Sequence, residues 1–257
     1  KLTEEWRKKN PDVEPADKLL VRILADRREK WQGRGKYKEP VAPDTSGLPD
    51  LPEGWVWTTM GNLTVWGPQN GLYLPKSSYR SGIGMLRIDD YQDGFSRDSS
   101  QLQQVRTDKD TIEKYSLAEN DLVVNRVNSP THLGKCLIVQ PRNLPSLFES
   151  NMMRLKLASE VLPRYMEIYL WTKPGKMRLI KNAKWAVNQA SINQGDVVDA
   201  VVPLPPTSEQ KQIVAEVERR LSIVTEAEAQ IDANLRRADH LRQSILKQAF
   251  SGKLLSS

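Results

Sequence analysis

What most limits the fold open to this chain is a run of more than forty residues near its end without glycine or proline. It opens at Pro203-Leu204-Pro205-Pro206-Thr207-Ser208-Glu209-Gln210. The prolines stop the preceding element, and Thr207 with Gln210 three positions on has the spacing of a capping box. Apolar residues then recur at Val214, Val217, Leu221, Val224, Ile231, Leu235, Ala238, Leu241 and Ile245, a three-and-four spacing that makes a narrow seam. Roughly 43 residues at about 1.5 Å each give a rod of roughly 65 Å, far longer than an ordinary globular helix. Glu228 falls on the seam and the step from Ala238 to Leu241 shifts its phase. The spacing predicts a coiled-coil strut that takes a partner helix; packing on its own domain is the other reading.

The chain has 257 residues, room for one good-sized domain besides the rod, and 39% apolar with 27% charged residues argues against disorder. No apolar run approaches the length of a membrane span, so no membrane partner is expected. The chain starts at Lys1 with no leader pattern, and reads as a fragment or a processed piece. A single cysteine, Cys136, suits a reducing compartment, which makes cytoplasm the expected location and the Asn62-Leu63-Thr64 sequon a chance match. His132 and His240 are too few for most metal or triad sites. The net charge of +6 leans toward an anionic partner, and its distribution says more than its size. Between Arg164 and Lys184 stand six basic residues and one acid, Glu167, so the positive field precedes the rod.

Taken in order, residues 1–50 hold a helix from Pro15 to about Trp31, with Leu19, Leu20, Ile23 and Leu24 on one face, then a linker marked by Gly33, Gly35, Pro40, Pro43, Gly47 and Pro49. A domain boundary is expected near residue 50. From Trp55 to Thr59, Gly82 to Ile88, Leu122 to Val127, Leu137 to Gln140, Met152 to Leu157 and Val197 to Leu204, the pattern is that of strands. A helix over Tyr165–Trp171 follows Pro163. Strands mixed with short helices and long loops predict an α+β domain over 51–206, followed by one long coiled-coil-forming helix over 207–257.

These segments resemble a known family, the specificity subunit of Type I restriction-modification systems, in its carboxy-terminal half. The likeness rests on Leu51-Pro52-Glu53-Gly54-Trp55, Leu86-Arg87-Ile88, Asp121 to Arg126 leading to Gly134-Lys135, Gln189-Ala190-Ser191-Ile192-Asn193, Pro203 to Pro206 with Glu209-Gln210 and Ile213-Val214, and Phe250-Ser251-Gly252-Lys253-Leu254. It implies a target recognition domain followed by a conserved long helix, a pair that occurs twice in the family with the helices antiparallel. It also implies a protein that reads one half of a bipartite double-stranded DNA target and docks DNA methyltransferase (modification) subunits, with a restriction subunit as a further partner. The second half would lie on the same chain or come from a second copy. No cofactor is expected on this chain, S-adenosylmethionine being used by the methyltransferase partner. The chain departs from the family's polar Gly-Ser-Thr stretch at Ala183-Lys184-Trp185-Ala186-Val187-Asn188.

The candidate DNA contacts follow from side-chain chemistry. Lys181, Lys184 and the rest of the run from Lys173 can neutralise phosphates, though a solvated helix face has the same composition. Asn188, Gln189 and Asn193 offer paired donor and acceptor groups to an adenine edge, and Arg87 or Arg126 can fork onto guanine, the alternative being loop residues that cap backbone. The polar loop Asn128 to Lys135, with His132 and Lys135, sits between strands where function tends to collect. Gly67 to Tyr73, with Lys76 and Tyr79, is a second loop able to reach a groove or to be a plain turn. Of the tryptophans at 55, 57, 66, 171 and 185, Trp185 is the one expected to be exposed for stacking.

Enzymatic readings fare worse. No Asn/Asp-Pro-Pro-aromatic tetrad is present, Gly82-Ile83-Gly84 is a bare Gly-x-Gly, and Gly134-Lys135 precedes Cys136 where a phosphate loop needs Ser or Thr. Asp196 with Glu209-Gln210-Lys211 mimics a nuclease spacing, yet Glu209 belongs to the rod's first turn. A non-catalytic specificity module is therefore expected, ahead of a phosphate-only binder or assembly scaffold and of a hidden nuclease.

Overall fold

The computed structural model describes residues 2–30, 36–37, 39–92, 94–129, 131–187 and 189–251. Its helices in chain order are α1 (Glu4–Lys9), α2 (Ala16–Glu29), α3 (Lys109–Tyr115), α4 (Pro163–Trp171), α5 (Lys173–Leu179), α6 (Gln194–Asp199) and α7 (Thr207–Phe250). The strands are β1 (Val56–Thr59), β2 (Thr64–Asn70), β3 (Ile83–Leu86), β4 (Tyr91–Gln92), β5 (Phe95–Ser96), β6 (Gln103–Val105) and β7 (Leu122–Asn125), then β8 (Val127–Asn128), β9 (Cys136–Ile138), β10 (Ser146–Phe148), β11 (Met152–Leu157), β12 (Lys184–Trp185), β13 (Ala190–Ser191) and β14 (Val201–Leu204). Contacts divide the chain into one unit over Thr3–Lys211 and another from Gln212 onward.

In the first unit a four-stranded antiparallel sheet runs in the order β2-β11-β7-β9, with Leu122 opposite Ile138 and Val124 opposite Cys136. Every residue of β7 is buried, because consecutive side chains enter cores on opposite faces of the sheet. Leu122, Val124, Ile138, Met153 and Leu155 join Ala16, Leu19 and Ile23 of α2, Met166 and Leu170 of α4, and Leu179. Val123, Leu137 and Met152 instead meet Leu86, Tyr91, Leu117 and Phe148. Each fully buried aliphatic side chain in these clusters contributes about 1.5–3 kcal/mol. A smaller sheet, β10-β3-β6, flanks the second core, and β1 pairs antiparallel with β14.

The α+β architecture with its long terminal helix is the one expected. Four details differ. Since α2 places three residues in the main core, packing is continuous across residue 50 and no boundary falls there. Val197 lies in α6 rather than in a strand, because Asn193 and Asp196 form a capping box that starts a helix. The segment from Gly67 to Asn70 is part of β2 and not a loop. At Gly67, φ is +92° and a Cβ would stand 2.7 Å from the Arg154 carbonyl oxygen, so glycine is required where β2 crosses β11. The Thr207/Gln210 capping box does not form, because both side chains have tertiary partners: Thr207 donates to the Glu160 carbonyl at 3.1 Å, and Gln210 accepts from Leu162 N–H at 2.7 Å while donating to the Pro205 carbonyl at 3.0 Å.

Candidate nucleic-acid interface

The site grows from the β12–β13 ribbon, two strands of a three-stranded sheet completed by β8. β12 pairs with β13, Lys184 opposite Ser191 and Trp185 opposite Ala190, and β13 pairs on its other side with β8, Ala190 opposite Asn128. Beyond the last strand pair, Ala186 N–H donates to the Gln189 carbonyl at 2.8 Å and closes the ribbon. Alternation across the pleat puts Lys184, Gln189 and Ser191 on the face opposite to Ala190, which is buried in the main core. Trp185 is 58% exposed and Val187, beyond the closing pair, 96%.

The ribbon's root is held by Arg126. Its carbonyl accepts from Ile192 N–H at 2.9 Å, its N–H donates to the Asn151 carbonyl at 2.8 Å, and its guanidinium donates to the Ser150 carbonyl at 3.0 Å. Arg126 is thus half-buried with its Nη1 on protein backbone.

The loop after β8 is closed on itself and on its neighbours. Asn128 Oδ1 accepts from Ser129 N–H at 2.7 Å, and His132 Nδ1 lies 2.9 Å from Ser129 Oγ and 3.1 Å from Thr131 Oγ1. Gly134 has φ +74°, and a Cβ there would stand 2.8 Å from the Ile180 side chain. Lys135 turns inward: its Nζ donates to the Ile88 carbonyl at 2.7 Å and lies 4.8 Å from the centre of the Tyr91 ring. The Tyr91 hydroxyl donates to Asn125 Oδ1 at 2.5 Å, and burial pushes its phenol well above the ordinary range. Asn128, His132 and Lys135 border a hollow shared with Gln92 and Phe95 of the β4–β5 hairpin, and Phe95 is 59% exposed. Lys176 of α5 reaches the same loop, donating to the Thr131 carbonyl at 2.6 Å.

The β8-β13-β12 sheet and its adjoining loop thus carry Asn128, His132, Lys184, Trp185 and Gln189, with Lys184 and Gln189 on one face and Trp185 and Asn128, both opposite Ala190, on the other. Other candidates lie elsewhere or are engaged. Arg87 donates to Gln103 Oε1 at 2.9 Å and pairs with Glu149 at 3.5 Å. Lys181 borders a groove with Asp44, Asp196 and Asp199. Asn193 caps α6 through Asp196 N–H at 3.2 Å. Asn188 lies outside the described residues. Sequence reasoning missed Gln92 and Phe95, because strands of two residues are too short to show a period; the Gly94 turn was the available signal.

The nuclease-like group is dispersed into structural roles. Asp196 accepts from Asn193 N–H at 2.7 Å, and Glu209, fully buried, accepts from Thr3 Oγ1 at 2.5 Å and Trp55 Nε1 at 2.8 Å and pairs with Arg7. Along α7, Val214 is buried, whereas Leu221, Val224, Ile231, Leu235, Leu241 and Ile245 are exposed and Val217 is half-buried. Among the described residues no helix is long and apolar enough to cross a membrane, and no group of three or more His, Cys, Asp or Glu side chains is placed to hold a metal.

Residues 52–237 match the Type I restriction modification DNA specificity domain family. The chain is 30% identical over 190 residues to the Type I restriction enzyme EcoKI specificity subunit of Escherichia coli (strain K12), covering 72% of this chain and 40% of that protein. It is 30% identical over 203 residues to the StySPI specificity subunit of Salmonella potsdam, covering 78% and 43%. The solved HsdS subunit from Thermoanaerobacter tengcongensis superposes with a TM-score of 0.56 at 17% identity over 79% of this chain and 51% of that one, a likeness of fold. The chain thus spans about two-fifths of the length of the curated relatives it matches.

Proposed function

The chain belongs to the Type I restriction modification DNA specificity domain family, and on that premise we propose that it is a non-catalytic module reading one half of a bipartite double-stranded DNA target. The observation that carries the reading is the exposed ribbon β12–β13 with Lys184 and Gln189 on its outer face, beside the polar loop of Asn128 and His132. A two-stranded ribbon fits the major groove, where every base pair presents its own pattern of donors and acceptors. Gln189 offers an amide that can bond an adenine edge in two places, and Lys184 a cation for the adjacent phosphate. The rigid sheet beneath holds both groups in place, because Ala190 is locked in the core between two paired strands.

The exposed stretch of the α7 seam, from Leu221 to Ile245, has the spacing of a partner-helix surface. In this reading it takes the helix of a second specificity half, on the same polypeptide or from another copy, and helps dock a DNA methyltransferase subunit. That partner carries S-adenosylmethionine and the methyl-transfer chemistry; a restriction subunit joins for cleavage. The cytoplasm is where such an assembly meets its DNA.

The test is selection of bound sequences from a random duplex pool, with this chain and its cognate methyltransferase subunit at moderate salt. Recovery of a short defined motif is expected, and Gln189→Ala is expected to relax it at one position, at a cost of about 1–3 kcal/mol for the lost base contact. Salt-sensitive binding to any duplex with no motif would instead favour a phosphate-only binder or an assembly scaffold.

A further inference from the structure

Among the described residues of the Thr3–Lys211 unit, Val187 is the most exposed large hydrophobic side chain, at 96%, and it stands beyond the Ala186–Gln189 closing pair of the ribbon. With so little contact it adds almost nothing to the core. Neither does it have the surroundings of a protein-docking patch. A stable protein interface buries about 800 Å² on each side, and the ribbon offers only Val187, Ala186 and Trp185 as exposed apolar side chains between Lys184 and Gln189 among the described residues, short of that area. The neighbours match a different surface. Lys184 suits a phosphate and Gln189 an adenine edge, and the apolar feature that accompanies adenine in the major groove is the C5-methyl of its paired thymine.

We propose that Val187 is a specificity-determining residue that packs on a thymine methyl group, so that the ribbon tip reads an A·T-containing step through Gln189 and Val187 together. The proposal rests on the base-reading role given above to this ribbon. It requires that a thymine methyl in the target contribute to binding, and that the contribution depend on the valine.

The experiment takes the motif selected with the full chain and its methyltransferase subunit, and replaces its thymines by deoxyuridine one at a time. At one position the loss of the methyl is expected to weaken wild-type binding by about three- to fivefold, the size of one methyl returned to water. The same replacement should leave binding by Val187→Ala within about 1.5-fold, the methyl having lost its contact. Equal losses in both proteins at every thymine would overturn the proposal, as would no loss anywhere or a motif without thymine. Val187→Ala that keeps the motif and its methyl dependence but loses the methyltransferase subunit would assign the tip to a protein contact, also overturning it. Recovery of no motif at all is a separate result, which sinks the base-reading role itself and this proposal with it.

Discussion

Lys135 donates to the Ile88 carbonyl and lies over the Tyr91 ring, whereas Lys184 is exposed on the ribbon and forms no ion pair or side-chain hydrogen bond among the described residues. The two cations should therefore separate under mutation. Lys135→Met is expected to lower stability by about 1–2 kcal/mol, from a hydrogen bond and a cation–π contact, with little change in the salt dependence of DNA binding. Lys184→Met should leave stability unchanged and reduce the slope of log affinity against log salt by about 0.9, one phosphate contact. Denaturant melts beside binding measured from low to moderate salt would check both. Reversed outcomes would mean that Lys135 swings outward on binding and that Lys184 is not at the interface. Both were candidate DNA contacts in the sequence, Lys184 in the basic run and Lys135 in the polar loop, because a lysine's burial depends on which loop folds over it.

At the scale of the element, α7 continues for 44 residues while its seam is exposed beyond Val217. Leu221→Asp is expected to abolish association with a second helix, or assembly with the methyltransferase subunit, while the near-ultraviolet signal of the globular unit persists. Sedimentation together with circular dichroism would show it, and assembly that survives would remove the coiled-coil role from the seam. The helix also carries a local clamp. Glu216 bonds Arg219 at 2.8 Å and Arg220 at 2.6 Å, and these bonds lower its carboxyl from 4.5 to about 2. A carboxyl depressed in the folded state stabilises above its unfolded value and loses that contribution as pH falls through the folded one. The helicity difference between wild type and Glu216→Gln should thus be present at neutral pH, fade from about pH 4.5 toward pH 2, and shrink in high salt because the clamp is exposed. A difference that persists below pH 2 would rule out the charge as its source.

For the molecule as a whole, Glu209 links segments more than two hundred residues apart, accepting from Thr3 and Trp55 and pairing with Arg7 in a fully buried position. Glu209→Ala leaves two donors and a cation without their acceptor, and is expected to cost about 3 kcal/mol in urea denaturation. A loss below about 0.5 kcal/mol would mean that the amino-terminal segment is held by its other contacts. Much of this architecture was legible along the chain. The three-and-four seam, the alternating run Met152–Leu157, the Pro163 helix start and the apolar pair of β7 and β9 are local patterns, produced by the periods of helix and strand, and they appear where the periods put them. Tertiary structure alone decided the partners. Thr207 and Gln210 have the spacing of a capping box but bond across to residues 160–162 and Pro205, Asn193 has the chemistry of a base reader but starts α6, and Asn128 joins the sheet that carries Lys184 and Trp185 only because β13 pairs with β8. Spacing along a chain determines which faces a segment has; which groups those faces meet depends on contacts between residues far apart, and each polar side chain goes to whichever acceptor or donor the packed core leaves beside it.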